Sequence, residues 1–299
     1  GAALAPGAVR VARAVTRYGG PLGDELVLPW LLAMGEGTPA GSAAGAGPAP
    51  AGAGAGAAAR FDEAVAGAEA LVGQAMDTTA GEALSVATQL LGRVARGDLA
   101  ALGSAQPVDA APAAAVLGGF AATAELLVAE RVLAHPEQLW SLSVEEVRRL
   151  LATKEAGDWH RHRHRTLRWQ SLVQQVVAVR GRPLVGEGVS PGIAAGPARR
   201  LSASRDLRRV VPGDVVVLHR PSPQLAPALW IASGLVAETG SGAAHLIEVA
   251  RSLRVPAVVA VGTLEVEEGE DLVLVDGDEE SVAVLPADVA GDGDGASTA

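Results

Sequence analysis

A chain of 299 residues is long enough for two domains, each with its own core. Its formal net charge of −10 argues against non-specific binding to nucleic acid or an anionic membrane surface. The absence of cysteine excludes disulfides, thiolate metal sites and cysteine nucleophiles. A cysteine-free chain without an uninterrupted apolar run of about 18 residues fits a cytoplasmic location. Aromatics make up only 3% of the residues while Ala and Gly abound, so parts of the 49% hydrophobic content are small and are expected to pack weakly.

Residues 1–35 read as a short helical segment. Ala8 to Ala14 carries a helical pattern, and Leu22 to Met34 carries another that Pro29 is expected to divide into two pieces. Residues 36–59 are mostly Gly, Ala and Pro, lack an amphipathic face, and read as a low-complexity linker. Residues 60–182 read as mainly helical. Patterns run from Phe61 to Met76, from Glu82 to Val94 and from Ala114 to Leu133, and Ser143 with Glu146 makes a capping box ahead of Val147, Leu150 and Leu151. The run Trp159 to Arg165 interleaves His160, His162 and His164 with arginines. A solvated basic helix, a phosphate contact and a metal site are the readings open to it, and the guanidinium groups between the imidazoles oppose a divalent ion. His135 and His219 read as structural or surface residues.

After Arg182 short Val-rich runs alternate with glycines. Strands are expected over Val210 to Leu218, Leu235 to Ala237 and Pro256 to Val261, with a short helix over Pro223 to Ala232. Leu272 to Val275 and Val282 to Leu285 should form a hairpin around Asp276–Gly277. Residues 290–299, with GDGDGASTA, read as a disordered tail. The fold class is therefore α+β: a helical N-terminal region followed by a compact β/α domain over residues 186–286.

That domain is organised around Gly240 to Val261. A glycine-bearing turn ends at His245, an amphipathic helix pattern follows, and Pro256 stops it before the next strand. His245 thus falls in the first helical turn, where free backbone N–H groups favour an anion such as a phosphoryl group. Imidazole is a nucleophile near neutral pH and can hold and release such a group.

Residues 186–285 resemble the swivelling phosphohistidine domain of phosphoenolpyruvate-utilising enzymes, the group that includes phosphoenolpyruvate synthase and rifampicin phosphotransferase. The resemblance rests on SPGIAAGPARRL from Ser190 to Leu201, on Thr239, Gly240, His245, Ala250 and Arg251, on Pro256-Ala257-Val258-Val259, and on Val275-Asp276-Gly277. Weaker likenesses lie upstream, in RYGGPLGDELVLPW from Arg17 to Trp30 and in Leu127 to Leu151. Ser241 stands where the family has a second glycine, Ala244 where it has serine, and Glu248 where it is usually apolar. Ser222-Pro223 replaces an Asp-Pro.

The resemblance implies a phosphotransferase component of dikinase type, incomplete alone. His245 would be the carrier, with Thr239, Gly240 and Arg251 supporting it and Glu25 a weak substrate contact. Gly242 in the same turn and Glu248, one helical turn beyond His245, are the other supporting residues. Glu248 either repels a phosphoryl group or orients the imidazole by a hydrogen bond. It implies ATP and Mg acting through an ATP-grasp domain or subunit, and a small-molecule acceptor such as pyruvate. Neither metal nor cofactor is expected on this chain itself. A catalytically decayed homologue that binds or regulates is the alternative.

Overall fold

The computed structural model describes residues 7–34, 54–95, 108–155 and 170–287. It divides into two compact units, one formed by the described residues of Gly1–Thr16 and Thr166–Ala299, the other by those of Arg17–Arg165. The expected boundaries shift accordingly. Helix α1 (Ala8–Tyr18) is the first element among the described residues, and up to Thr16 it groups with the C-terminal residues rather than with a segment 1–35. Arg13 is one tie between α1 and those residues: its guanidinium donates to the Glu270 carbonyl at 2.6 Å and to the Pro286 carbonyl.

The helical unit holds α2 (Pro21–Leu26), α3 (Leu28–Ala33), α4 (Gly54–Met76), α5 (Ala80–Ala95), α6 (Ala110–Ala129) and α7 (Val144–Thr153). As expected, Pro29 divides the Leu22–Met34 pattern, because proline is accepted in the first turn of α3 but not inside a continuous helix. Helix α4 starts at Gly54, inside the stretch read as linker; the rest of that linker, 36–53, lies outside the described residues. So do the His160–His164 run and the tail 290–299.

Small residues pack this unit closely rather than weakly. A Cβ on Gly119 of α6 would lie 2.8 Å from the Cβ of Ala64 on α4, and one on Gly67 of α4 would lie 2.8 Å from Val116. Helix axes approach this closely only where side chains are minimal. Phe61, Phe120 and Trp140 fill the adjoining space edge to face, with centroids 5.9 and 5.7 Å apart. The Ser143 cap forms as expected: its hydroxyl accepts from the Glu146 N–H at 3.3 Å and the Glu146 carboxylate accepts from the Ser143 N–H at 2.9 Å. By length and composition α6 could cross a membrane, yet Phe120, Ala124 and Leu127 are buried in the core of this unit.

In the second unit α8 (Gln170–Arg180) precedes β1 (Arg182–Val185), β2 (Glu187–Ser190), β3 (Ile193–Leu201), β4 (Val215–Leu218) and β5 (Gly234–Ala237). Helix α9 (His245–Leu253), β6 (Ala257–Val259), β7 (Leu272–Asp276) and β8 (Ser281–Leu285) complete it. Helix α8 was expected to belong with the helical region. It buries Leu172, Val173, Val176 and Val177 and packs on β3, β7 and β8 instead.

The eight strands run in the order β1-β8-β7-β3-β4-β5-β6-β2. Strands β3, β4, β5 and β6 are mutually parallel neighbours, and antiparallel strands flank them on both sides. The strand expected from Val210 is paired only from Val215, since Pro212–Gly213 makes a turn ahead of it. The short helix after it is a 3₁₀ segment, Pro223–Trp230. The β7–β8 turn spans 277–280 rather than two residues, with the Asp276 carboxylate accepting from the N–H groups of Asp278 and Glu279.

Period-two alternation explains the fully buried strands. Val216, Leu218, Leu235, Ala237, Ala257 and Val259 face one core, shared with Leu246, Ile247 and Ala250 of α9. Val215, Val217, Val236 and Val258 face the other, which they share with Val273, Val275, Val282 and Val284. Strands β5 and β6 do not pair with β7, so a core common to all three means that the sheet curls over on itself. One side is thereby left to α9 and the 3₁₀ segment.

Candidate functional site

Ligands of parallel α/β sheets gather where strands deliver loops at their carboxyl ends. Strands β4 and β5 deliver two such loops here, one with His219 and Arg220, the other running from Glu238 to Ala244 into α9. Two contacts tie them together. The Thr239 N–H and hydroxyl both donate to the His219 carbonyl, at 2.9 and 2.8 Å. Gly240 sits at φ +122°, where a Cβ would lie 2.6 Å from the Pro221 ring, so only glycine fits. Thr239 and Gly240 therefore shape the backbone that leads to the histidine.

Gly242 is the next constriction. A Cβ there would stand 3.1 Å from Arg251 Nη2, 3.2 Å from Glu187 Oε1 and 3.3 Å from Val189. Arg251 itself donates from Nε to the Val189 carbonyl at 2.5 Å, fastening α9 to β2. The arginine is thus a helix anchor, and the glycine gives it room beside the turn.

His245 is the first residue of α9, following Ala244, whose side chain offers no cap. Leu246, Ile247 and Ala250 bury the opposite side of the helix, which turns the imidazole outward with its side chain 66% exposed. Its Nδ1 lies 3.2 Å from Oε2 of Glu248, one turn along the same exposed face. A carboxylate can only accept, so this contact is a hydrogen bond when Nδ1 carries the proton, leaving Nε2 with a free lone pair directed away from Glu248.

Residues 210–280 match the family described as PEP-utilising enzyme, mobile domain. The C-terminal part of this chain is related to that mobile domain. A probable phosphoenolpyruvate synthase of Archaeoglobus fulgidus is 28% identical over 163 residues, 46% of this chain and 22% of that protein. The phosphoenolpyruvate synthase of Aeropyrum pernix is 33% identical over 159 residues, 51% of this chain and 17% of that protein. That of Escherichia coli is 33% identical over 89 residues, 29% of this chain and 11% of that protein. The chain thus spans under a quarter of the length of these relatives.

Within the mobile-domain region the structure brings together Thr239, Gly240, Gly242, His245, Glu248 and Arg251 on one loop and helix. Glu25 is exposed on α2, in the other unit, while its neighbour Asp24 is buried and accepts from the Gly20 N–H at 3.0 Å. Among the described residues no cluster of three or more His, Cys, Asp or Glu has the arrangement of a metal site.

The sequence reading missed one network beside this loop. Glu238 is buried at 8% exposure, yet its carboxylate accepts from His219 Nδ1 at 2.9 Å, Arg200 Nη1 at 3.0 Å and the Leu264 N–H at 3.1 Å. Burial pushes its pKa up, but the hydrogen bonds from His219, Leu264 and Arg200 outweigh it and hold the carboxyl below the ordinary glutamate range. Ala237 faces the α9 core, so by alternation Glu238 faces the other side of the sheet. The network locks the loop from behind while His245 is displayed in front.

Proposed function

We propose that His245 is a phosphoryl carrier: it takes the group from a donor bound by an ATP-grasp domain or subunit and passes it to a small-molecule acceptor such as pyruvate. The observation that carries this reading is an exposed imidazole at the first position of α9, with Nδ1 engaged by Glu248 and Nε2 open, inside the stretch that matches a mobile domain of PEP-utilising enzymes. A helix start suits the task, because its unpaired N–H groups and dipole favour the phosphoryl oxygens without a metal of the chain's own. ATP and Mg act at the donor site. The helix anchor Arg251 and the locked Glu238 let the loop move with its sheet as one body, which a carrier shuttling between distant sites requires.

A second reading is a decayed homologue that binds without chemistry, favoured by Ala244, which offers no hydroxyl beside the ring. The test is incubation of the full chain with γ- or β-labelled ATP and an ATP-grasp protein proven competent on another carrier domain. Acid-labile, base-stable label that maps to His245 and vanishes in His245→Ala supports the carrier. No label under those conditions leaves the binding module.

A further inference from the structure

We propose that Glu248 is a positioning residue for His245: it holds the imidazole in the tautomer protonated on Nδ1 and so makes Nε2 the nitrogen that takes the phosphoryl group. The inference rests on the carrier reading above and deepens it. Its basis is the Nδ1 to Oε2 contact of 3.2 Å between two side chains three residues apart, both projecting from the exposed face of α9. The backbone beneath the pair is fixed. Leu246, Ile247 and Ala250 are buried in the core, Arg251 is fastened to Val189, and the Ser252 hydroxyl donates to the Glu248 carbonyl at 2.8 Å. The two side chains are therefore presented to each other by a helix that cannot roll.

The chemistry gives the pair a definite part. The Nε2 lone pair attacks phosphorus as the bond to the leaving oxygen of a phosphoanhydride breaks, and that oxygen departs with the electron pair. The ring then bears the phosphoryl group on Nε2 and its original proton on Nδ1. This formal positive charge is offset by the Glu248 carboxylate, as a triad carboxylate offsets an imidazolium. In the return step an acceptor oxygen attacks phosphorus, the electron pair goes back to Nε2, and the acceptor's proton goes to solvent. Nδ1 keeps its proton throughout. Because Nε2 lies across the ring from Nδ1, the carboxylate stands on the far side from the phosphoryl oxygens, and the like charges are kept apart.

The test uses the full chain and phosphoramidate, a small phosphoryl donor that needs no partner protein. Nitrogen-15 NMR of the histidine rings, with His245 assigned by loss of its signals in His245→Ala, reads the tautomer directly. The expected result is a proton on Nδ1 in the wild type, a move toward the Nε2-protonated form in Glu248→Ala, and label on Nε2. In that variant labelling should slow about two- to fivefold, the equivalent of an exposed charged pair, with some label passing to Nδ1. A wild-type ring protonated on Nε2 overturns the proposal. So does a Glu248→Ala chain that loses helix stability while tautomer and labelling stay unchanged, since Glu248 would then be only a favourable acid in a first turn. A normal tautomer result without labelling by any ATP-grasp donor would instead remove the carrier reading and leave the pair standing.

Discussion

Replacing Glu238 by glutamine tests whether the buried carboxylate holds the site's loop. The substitution keeps the shape and one acceptor oxygen but removes the charge that faces Arg200, His219 and the Leu264 N–H. A hydrogen bond to a charged group contributes about 1.5–3 kcal/mol. His219 has a side chain 76% exposed and its share is screened, whereas Arg200 is 34% exposed and the Leu264 amide is buried. Both inner donors share one oxygen, Oε1, so a glutamine with its oxygen there keeps both bonds and loses the charge that strengthens them, about 1 kcal/mol each. The net loss is about 2 kcal/mol, or about 4–8 °C in melting temperature for a unit of this size.

The pH dependence has a definite sign. The folded pKa of Glu238 is held below its ordinary value, so its stabilisation is present above the ordinary glutamate range and is lost as pH falls through the folded value. Urea unfolding of the full chain near neutral pH and at successively lower pH should show the wild type losing this increment, while Glu238→Gln has none to lose over the same window. A variant as stable as the wild type, with the same acid slope, would refute the reasoning.

Other expectations follow from single contacts. Gly240→Ala must adopt φ +122° and displace the Pro221 ring, so it should cost about 1–3 kcal/mol by thermal unfolding. Ile247→Ala empties a fully buried position under α9 and should cost about 2–5 kcal/mol, with exposure of the His245 loop seen by amide hydrogen exchange. Arg13→Ala frees α1 from the carbonyls of Glu270 and Pro286, and limited proteolysis should then cut the N-terminal segment faster than in the wild type.

Local signals in the sequence announced local structure. The Ser143–Glu146 box, the Pro29 break and the amphipathic stretch after His245 each depend on neighbours within a turn, and each formed where expected. Long-range pairing was hidden. Arg13 meets Pro286 across 273 residues, and Arg200 meets Glu238 across 38, with no spacing rule to announce either. Composition misled in one respect: Ala64, Gly67 and Gly119 looked like weak packing, but their small size lets α4 and α6 approach closely. At the site, glycine and histidine marked the loop because backbone freedom and imidazole chemistry are written in residue type. The direction of the His245 ring toward Glu248 depended on the helix starting at His245 itself.

Whether the chain carries a transferable phosphoryl group is decided most directly by a chase. The phosphorylated full chain is freed of donor and nucleotide, then mixed with a small set of acceptors including pyruvate, and label on His245 is followed by peptide mapping. The carrier account predicts that label leaves His245 and appears stoichiometrically on one acceptor. Label that stays on His245 with every acceptor, or leaves only as inorganic phosphate at the rate seen with no acceptor added, would contradict it.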